Sequence, residues 1–150
     1  MTDLPSYLPQ WISDHIKLYQ EDPEKAHYWD ATLGGGQGKL PTLLLTTIGR
    51  KSGQPRPLPL IYKKVGNDYI IIASKGGAPA HPAWFLNLEA QPECDVQVAS
   101  AKMRAKARIA EGEERESLWA QLAEVYPPYD EYQERAGDRK IPVVVLEPQG

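Results

Sequence analysis

Apolar extended segments separated by turns too short for a crossover restrict this chain more than any other feature. The segments 41–48 and 58–64, rich in Leu, Ile and Thr, are joined by Gly-Arg-Lys-Ser-Gly-Gln-Pro-Arg at 49–56. Gly66-Asn67-Asp68 then leads directly into the apolar run 69–74. Parallel neighbours need a connection of about a dozen residues or more, so short turns favour antiparallel pairing. The stretches 95–99 and 102–110 read as a further hairpin, because Lys102, Arg104, Lys106 and Arg108 alternate with Met103, Ala105 and Ala107 at a period of two. A last buried strand is expected at 141–147. Pro57 and Pro59 place the 58–64 segment at a sheet edge or a strand start, since proline donates nothing to a ladder. About six mostly antiparallel strands with little helix between them predict an α+β fold built on a small closed or split β-barrel.

Helices are expected around this sheet. Trp11, Ile12, Ile16 and Tyr19 form one stripe over 10–20, and Trp84, Phe85 and Leu88 form another in a helix that Pro82 opens. Leu118, Trp119, Leu122, Val125 and Tyr126 share a side over 111–126, Pro127-Pro128 breaks that helix, and a short segment 129–135 follows. No repeat or linker interrupts the chain, so 1–150 reads as a single split-barrel domain with a helical extension at 1–24. A chain of 150 residues buries roughly 70 % of its unfolded surface, enough for one core.

Several classes are set aside at this level. The longest apolar runs fall far short of the ~20 residues of a membrane span, and the first ten residues lack the basic start and apolar stretch of a signal peptide. Cys94 is the single cysteine, which excludes an internal disulfide and a cysteine-based zinc cluster and suits a reducing cytoplasm. His15, His27 and His81 show no ligand spacing, so no metal is expected. With a pI near 5.6, general nucleic-acid binding is a poor reading. Membrane contact is at most peripheral, through the N-terminal helix, and the net charge of −4 over 1–38 opposes anionic lipid.

Charge is nevertheless unevenly placed. Residues 39–75 hold seven cations and one acid, a local net of +6 in a chain of net −3. Gly49-Arg50-Lys51-Ser52-Gly53 puts two cations and a hydroxyl in a glycine-flanked turn, where backbone N–H groups can nest an anion; a solvated hairpin turn is the plain alternative. Ala73-Ser74-Lys75-Gly76-Gly77 leaves a strand shortly before the helix at Pro82, and a cation, glycines and a helix N-terminus together favour a phosphate or carboxylate. The glycine loop 34–38 either joins these two or is a connector. Tyr126, Tyr129 and Tyr132 recur every third residue and either stack on a flat ligand or pack the barrel end. The residues alone describe a barrel that binds a flat, phosphorylated small molecule.

Five motifs in register carry a resemblance. They are 43–56 (Leu-Leu-Leu-Thr-Thr-x-Gly-Arg-Lys-Ser-Gly-x-Pro-Arg), 73–78, Pro82-Ala83-Trp84-Phe85-Leu86-Asn87-Leu88, Tyr126-Pro127-Pro128-Tyr129-x-x-Tyr132-Gln133 and Ile141-Pro142-Val143-Val144. Over roughly 25–148 the chain resembles the deazaflavin-dependent nitroreductase family, enzymes that use coenzyme F420, an 8-hydroxy-5-deazaflavin. The resemblance implies a split β-barrel of the FMN-binding, flavin-reductase-like kind. It implies that Arg50, Lys51 and Ser52 hold the cofactor phosphate, that Lys75 supports the anionic tail, and that Pro59, Ala73, Ser74 and Asn87 line the cofactor groove. It further implies that Tyr126, Tyr129, Tyr132 and Tyr62 wall the substrate pocket. Tyr129 would donate a proton or orient the substrate, Ser74 would hydrogen-bond the developing oxyanion, and Trp84 would pack beneath the groove. The reaction implied is hydride transfer from reduced F420 to a small electrophile: an enone, a quinone or a nitroaromatic. An FMN-dependent reductase or oxidase on the same barrel, and a non-catalytic deazaflavin carrier, are the competing readings. Oligomeric state is left open, a homo-oligomer included.

Overall fold

In the computed structural model, which describes residues 10–30, 39–74, 77 and 80–149, the short-turn rule produces antiparallel pairing throughout. Helices α1 (Gln10–Glu21) and α2 (Pro23–Ala26) precede strands β1 (Tyr28–Asp30), β2 (Lys39–Ile48), β3 (Pro55–Ile61), β4 (Lys63–Val65) and β5 (Asp68–Ile72). Then come α3 (Ala83–Ala90), the hairpin β6 (Glu93–Val98) and β7 (Ala101–Ile109), helices α4 (Gly112–Val125) and α5 (Pro128–Ala136), and β8 (Val143–Gln149). The sheet runs β1-β2-β6-β7-β8-β5-β4, with β3 paired to β2, and curls into an open half-barrel. Six long strands carry this curl as expected; β1 and β4 are three-residue additions.

Local chemistry sets the edges. Pro55, Pro57 and Pro59 fall at every second residue of β3, which pairs only with β2, so their missing N–H groups cost the ladder nothing. The 58–64 segment, read as one strand, divides at Tyr62. There the backbone N–H turns to Pro41 O (3.4 Å) and the hydroxyl meets His27 Nε2 at 2.7 Å. Pro127-Pro128 ends α4 as expected, but it also starts α5, with Pro128 in the first turn where its absent N–H is not needed.

Alternation along β5 and β8 explains their near-continuous apolar sequence. Tyr69, Ile71, Ala73, Val144 and Leu146 point into the barrel with Leu43, Leu45, Trp84, Phe85 and Leu88. Ile70, Ile72, Val143 and Val145 point outward and are covered by Leu118, Leu122, Tyr126 and Tyr129 of the α4–α5 layer. Each such side chain contributes about 1.5–3 kcal/mol on burial, so both faces of these strands are apolar. A third, smaller cluster sets Ile16 and Tyr19 of α1 against Ala26 and Leu44. The Tyr19 hydroxyl donates to Thr42 O (2.5 Å) and accepts from Ala99 N (3.3 Å), fixing α1 to β2 and to the β6–β7 turn.

Candidate active site

The basic turn between β2 and β3 is held from below. Gly53 N donates to Gly49 O (2.8 Å) and Gly49 N to Gln54 O (2.8 Å), and Gly53 adopts φ +71°, which glycine tolerates best. Asn87, buried on α3, accepts from both Arg50 N (3.2 Å) and Arg50 Nη1 (2.9 Å) and donates to Thr47 Oγ1 (3.1 Å). Its amide is thereby spent on positioning Arg50 against the first turns of α3. Ser52 Oγ accepts from Gln54 N (3.2 Å) and Arg56 Nη2 (3.2 Å), which brings a third cation to the turn. Lys51 is exposed. Among the described residues, Arg50, Lys51 and Arg56 make no ion pair. Two of the four alternating cations of β7 are paired: Arg104 with Asp95 (2.8 Å), and Arg108 with Glu114 (2.6 Å) and Glu147 (3.3 Å). The hairpin turn thus brings together three cations that make no ion pair among the described residues.

The other end of the same hairpin borders a cavity of about 170 Å³. Its wall includes Pro59, Leu60 and Ile61 of β3, Ile72 and Ser74 at the end of β5, and Tyr126, Tyr129 and Tyr132. The three tyrosines touch one another edge to face or tilted, with ring centroids 4.9–6.3 Å apart, and Tyr126 Oη lies 3.0 Å from Tyr132 Oη. They pack the α4–α5 corner, as the second sequence reading has it, and they also face the cavity. Tyr129 is buried, and loss of solvation raises its phenol pKa well above the ordinary 10, with the neighbouring tyrosines adding to the rise. Among the described residues its hydroxyl has no hydrogen-bond partner. Burial raises Tyr126 in the same direction.

Gly77 and the end of β5 are pinned to this corner. A Cβ on Gly77 (φ +82°) would stand 2.6 Å from Tyr132 O and 2.9 Å from Arg135 Cβ, so only glycine permits the approach. Arg139 donates to Ala73 O (3.1 Å) and Ser74 O (2.7 Å), and Gln133 bridges α5 to Arg139 O (2.8 Å) and Ile141 N (2.9 Å). Ala73 is buried inside the barrel beside this strand end. Lys75 and the 34–38 loop lie outside the described residues. Tyr62 does not line the cavity. It sits within the barrel core against Tyr69 (5.5 Å between centroids), and its phenol is pushed up to about 12 by burial and adjacent tyrosines. Trp84 is a core residue, as the resemblance implied.

Sequence reasoning missed His15, Trp29 and Thr42, all on the cavity wall. Trp29 packs on Tyr126 (6.2 Å). His15 Nε2 lies 2.8 Å from Ala26 O and 3.4 Å from Thr42 Oγ1, and burial lowers its pKa below the ordinary 6.5. Its signal was present: positions 12, 15/16 and 19 make one helical stripe, and His15 lies on it.

A hairpin with a cationic tip and an aromatic cavity at its base suits a long ligand, flat at one end and anionic at the other. From Thr42 to Ile48, β2 spans about 20 Å at ~3.3 Å per residue. The family model for F420H(2)-dependent quinone reductase matches residues 17–148. An F420H(2)-dependent quinone reductase of Mycobacterium tuberculosis is 33% identical over 150 residues, covering 93% of this chain and 97% of the relative. A solved F420-H2 dependent reductase superposes with a TM-score of 0.66 at 45% identity, covering 71% of this chain and 93% of its own. A chain solved as a domain-swapped dimer gives 0.67 at 39% identity, covering 90% and 98%. The chain belongs to the F420H(2)-dependent quinone reductase family and is an oxidoreductase whose cofactor is coenzyme F420.

Proposed function

We propose that this enzyme reduces a quinone held in the tyrosine-walled cavity, with F420 lying along the β2–β3 hairpin. The observation that carries the reading is the arrangement of that hairpin: cations at its tip that make no ion pair among the described residues, and a cavity with protonated phenols at its base. Arg50, Lys51 and Ser52, with Arg56 beside them, suit the cofactor phosphate, and Lys75 suits the acidic tail. Asn87 acts through Arg50 rather than by direct contact, and Pro59, Ala73 and Ser74 border the ring. When bound in reduced form, F420 supplies a hydride.

The chain's own residues then have three tasks. The apolar wall of Leu60, Ile61 and Ile72 excludes water, which strengthens every polar contact inside. Ser74 and Tyr129 direct hydroxyls at an oxygen that gains negative charge as the acceptor takes the hydride. Because the Tyr129 pKa lies above that of an ordinary phenol, it donates a hydrogen bond and keeps its proton, so it orients and stabilises while solvent supplies the proton that completes the hydroquinone. The same donors would serve an enone or a nitroaromatic. The quinone is favoured because relatives bear that name. The likeness to a domain-swapped dimer supports a homo-oligomer. No helix among the described residues is long and apolar enough to cross a membrane.

The test begins with titration of tryptophan fluorescence by F420 and, separately, FMN. Micromolar quenching by F420 alone is expected. Turnover of reduced F420 is then compared with a naphthoquinone, an enone and a nitroaromatic. Preference for FMN, or binding of F420 without turnover of any acceptor, overturns the proposal.

A further inference from the structure

We infer that Arg139 is a positioning residue for the reaction: its guanidinium grips the two consecutive carbonyls that follow β5 and so fixes where Ser74 stands on the cavity wall relative to the tyrosines of α5. The inference rests on the proposed function for the part that Ser74 takes, and on the structure for what Arg139 holds.

Strand β5 ends at Ile72, and Ala73 N still reaches Pro142 O, just before β8 (3.0 Å). The next two carbonyls go to Arg139. Nη1 donates to Ala73 O (3.1 Å) and Nη2 to Ser74 O (2.7 Å). Successive carbonyls of an extended strand point to opposite edges, so two that meet one planar guanidinium fix a bend of the backbone between them. Ser74 O also accepts from Gly77 N (2.9 Å), the glycine that alone fits against Tyr132 O. Nη1 lies 3.0 Å from His81 Nδ1 as well; a guanidinium only donates, so that ring nitrogen accepts. One side chain thereby holds residues on both sides of 75–80.

Arg139 is itself held by α5. Gln133 Nε2 donates to Arg139 O (2.8 Å), Gln133 Oε1 accepts from Ile141 N (2.9 Å), and Arg139 N donates to Ala136 O (3.2 Å). Gln133 follows Tyr132 on the helix that also carries Tyr129. Ser74 and Tyr129 come from different segments, yet under the proposed function both hydroxyls address one oxygen. Arg139 and Gln133 give them a common frame. The grip needs the fork: Arg presents its donors in one plane, whereas Lys is a point charge on a flexible stem and does not hold two carbonyls at a fixed spacing. A displacement of about 1 Å caused far from the reacting atoms costs up to ~100-fold in rate, so a change at Arg139 is read in the chemical step.

The test is a double-mutant cycle between Arg139 and Ser74 in the full chain, read as the rate of a single turnover of reduced F420 with a naphthoquinone. Ser74→Ala is expected to lower that rate on the order of 100-fold, the loss of one donor to a developing oxyanion. Arg139→Ala should lower it roughly 10- to 100-fold, and Arg139→Lys by about fivefold or more. In the Ser74→Ala background either change at Arg139 should cost less than about twofold more, because the group it positions is already gone. A merely structural role would slow both backgrounds alike. The F420 Kd, dominated by the hairpin tip, should stay within about threefold in every variant, which also reports that each is folded. If Arg139→Ala alone fails to bind F420, Arg139→Lys decides by the same comparison. Losses that multiply, a wild-type rate in Arg139→Lys, or loss of F420 binding in both Arg139 variants overturns the role of Arg139 alone. A wild-type rate in Ser74→Ala overturns Ser74 as a donor in the proposed function, and the inference falls with it.

Discussion

At the tip of the β2–β3 hairpin, seven consecutive residues, 50–56, carry the charge; at its base, side chains from six separate segments close the cavity. The tip is exposed, local in sequence and defined by cations that make no ion pair among the described residues. The base is buried, assembled by tertiary packing and defined by phenols whose pKa values burial has raised. The contrast separates two kinds of recognition. A long-range field draws in an anionic tail and tolerates movement at the turn, whereas hydride transfer needs its acceptor fixed to a fraction of an ångström. Under the proposed function the charged end is therefore free to sit on a loop, and the reacting end is packed between elements of the core.

Gly77 offers the severest way to break the packed end. In Gly77→Ala the new Cβ meets Tyr132 O, and the residue is held at φ +82°, for a combined cost of about 2–4 kcal/mol. For a chain of this size the thermal midpoint should fall by roughly 5–15 °C. An unchanged midpoint would show that the loop can leave α5 without cost.

Next in size is Tyr129→Phe. Removing one preorganised donor to a developing oxyanion costs on the order of 100-fold in kcat, and F420 affinity should hold. If F420 binding is lost instead, Tyr129 shapes the cofactor groove and the division between tip and base is drawn in the wrong place. Lys51→Ala is the matching change at the tip. It should weaken F420 binding by about 1.5–3 kcal/mol, the scale of a hydrogen bond to a charged group, while kcat at saturating cofactor stays near the wild-type value. An unaltered Kd would put the phosphate elsewhere.

How much of this was readable before the structure follows the same division. Runs such as 41–48 and 69–74, with turns at 49–56 and 66–68, were sufficient for the antiparallel barrel, because alternation and turn length are local properties. Arg50, Lys51 and Ser52 were legible for the same reason. The contribution of α1 was not, since His15 reaches the cavity only once Tyr19 has bonded Thr42 O and Ala99 N, residues 23 and 80 positions away. β1 and α2 escaped notice because a three-residue strand and a four-residue helix have no period to detect, and β1 exists through its pairing with 39–41. Asn87 could be placed on the buried face of a helix, but its service to Arg50 crosses 37 residues and left no pattern.

His15 also gives the base a pH signature that the tip lacks. Burial lowers its folded pKa below 6.5, so the unfolded chain binds the proton more readily than the folded one. Stability therefore rises with pH across the window that opens at the folded pKa and closes near 6.5, and it is lost as acid is added through that window. Chemical denaturation at pH 7.5 and pH 5.5 should show the fall in the wild type and a smaller one in His15→Gln. An equal fall in both would assign the acid sensitivity to other groups.

The smallest effect is expected at a cation that is itself paired. Arg104 lies on β7 with Asp95 at 2.8 Å, both exposed, and resembles the tip residues in composition only. An exposed pair contributes little to stability and presents little net field to a distant anion. Arg104→Ala should therefore change the F420 Kd by less than about twofold, and the slope of that Kd with salt should stay as in the wild type. Lys51→Ala should flatten the same slope, because it removes a cation that no acid among the described residues offsets. If the two variants alter the salt dependence alike, overall charge rather than the hairpin tip attracts the cofactor, and the preference for F420 over smaller anions must come from the buried end of the site alone.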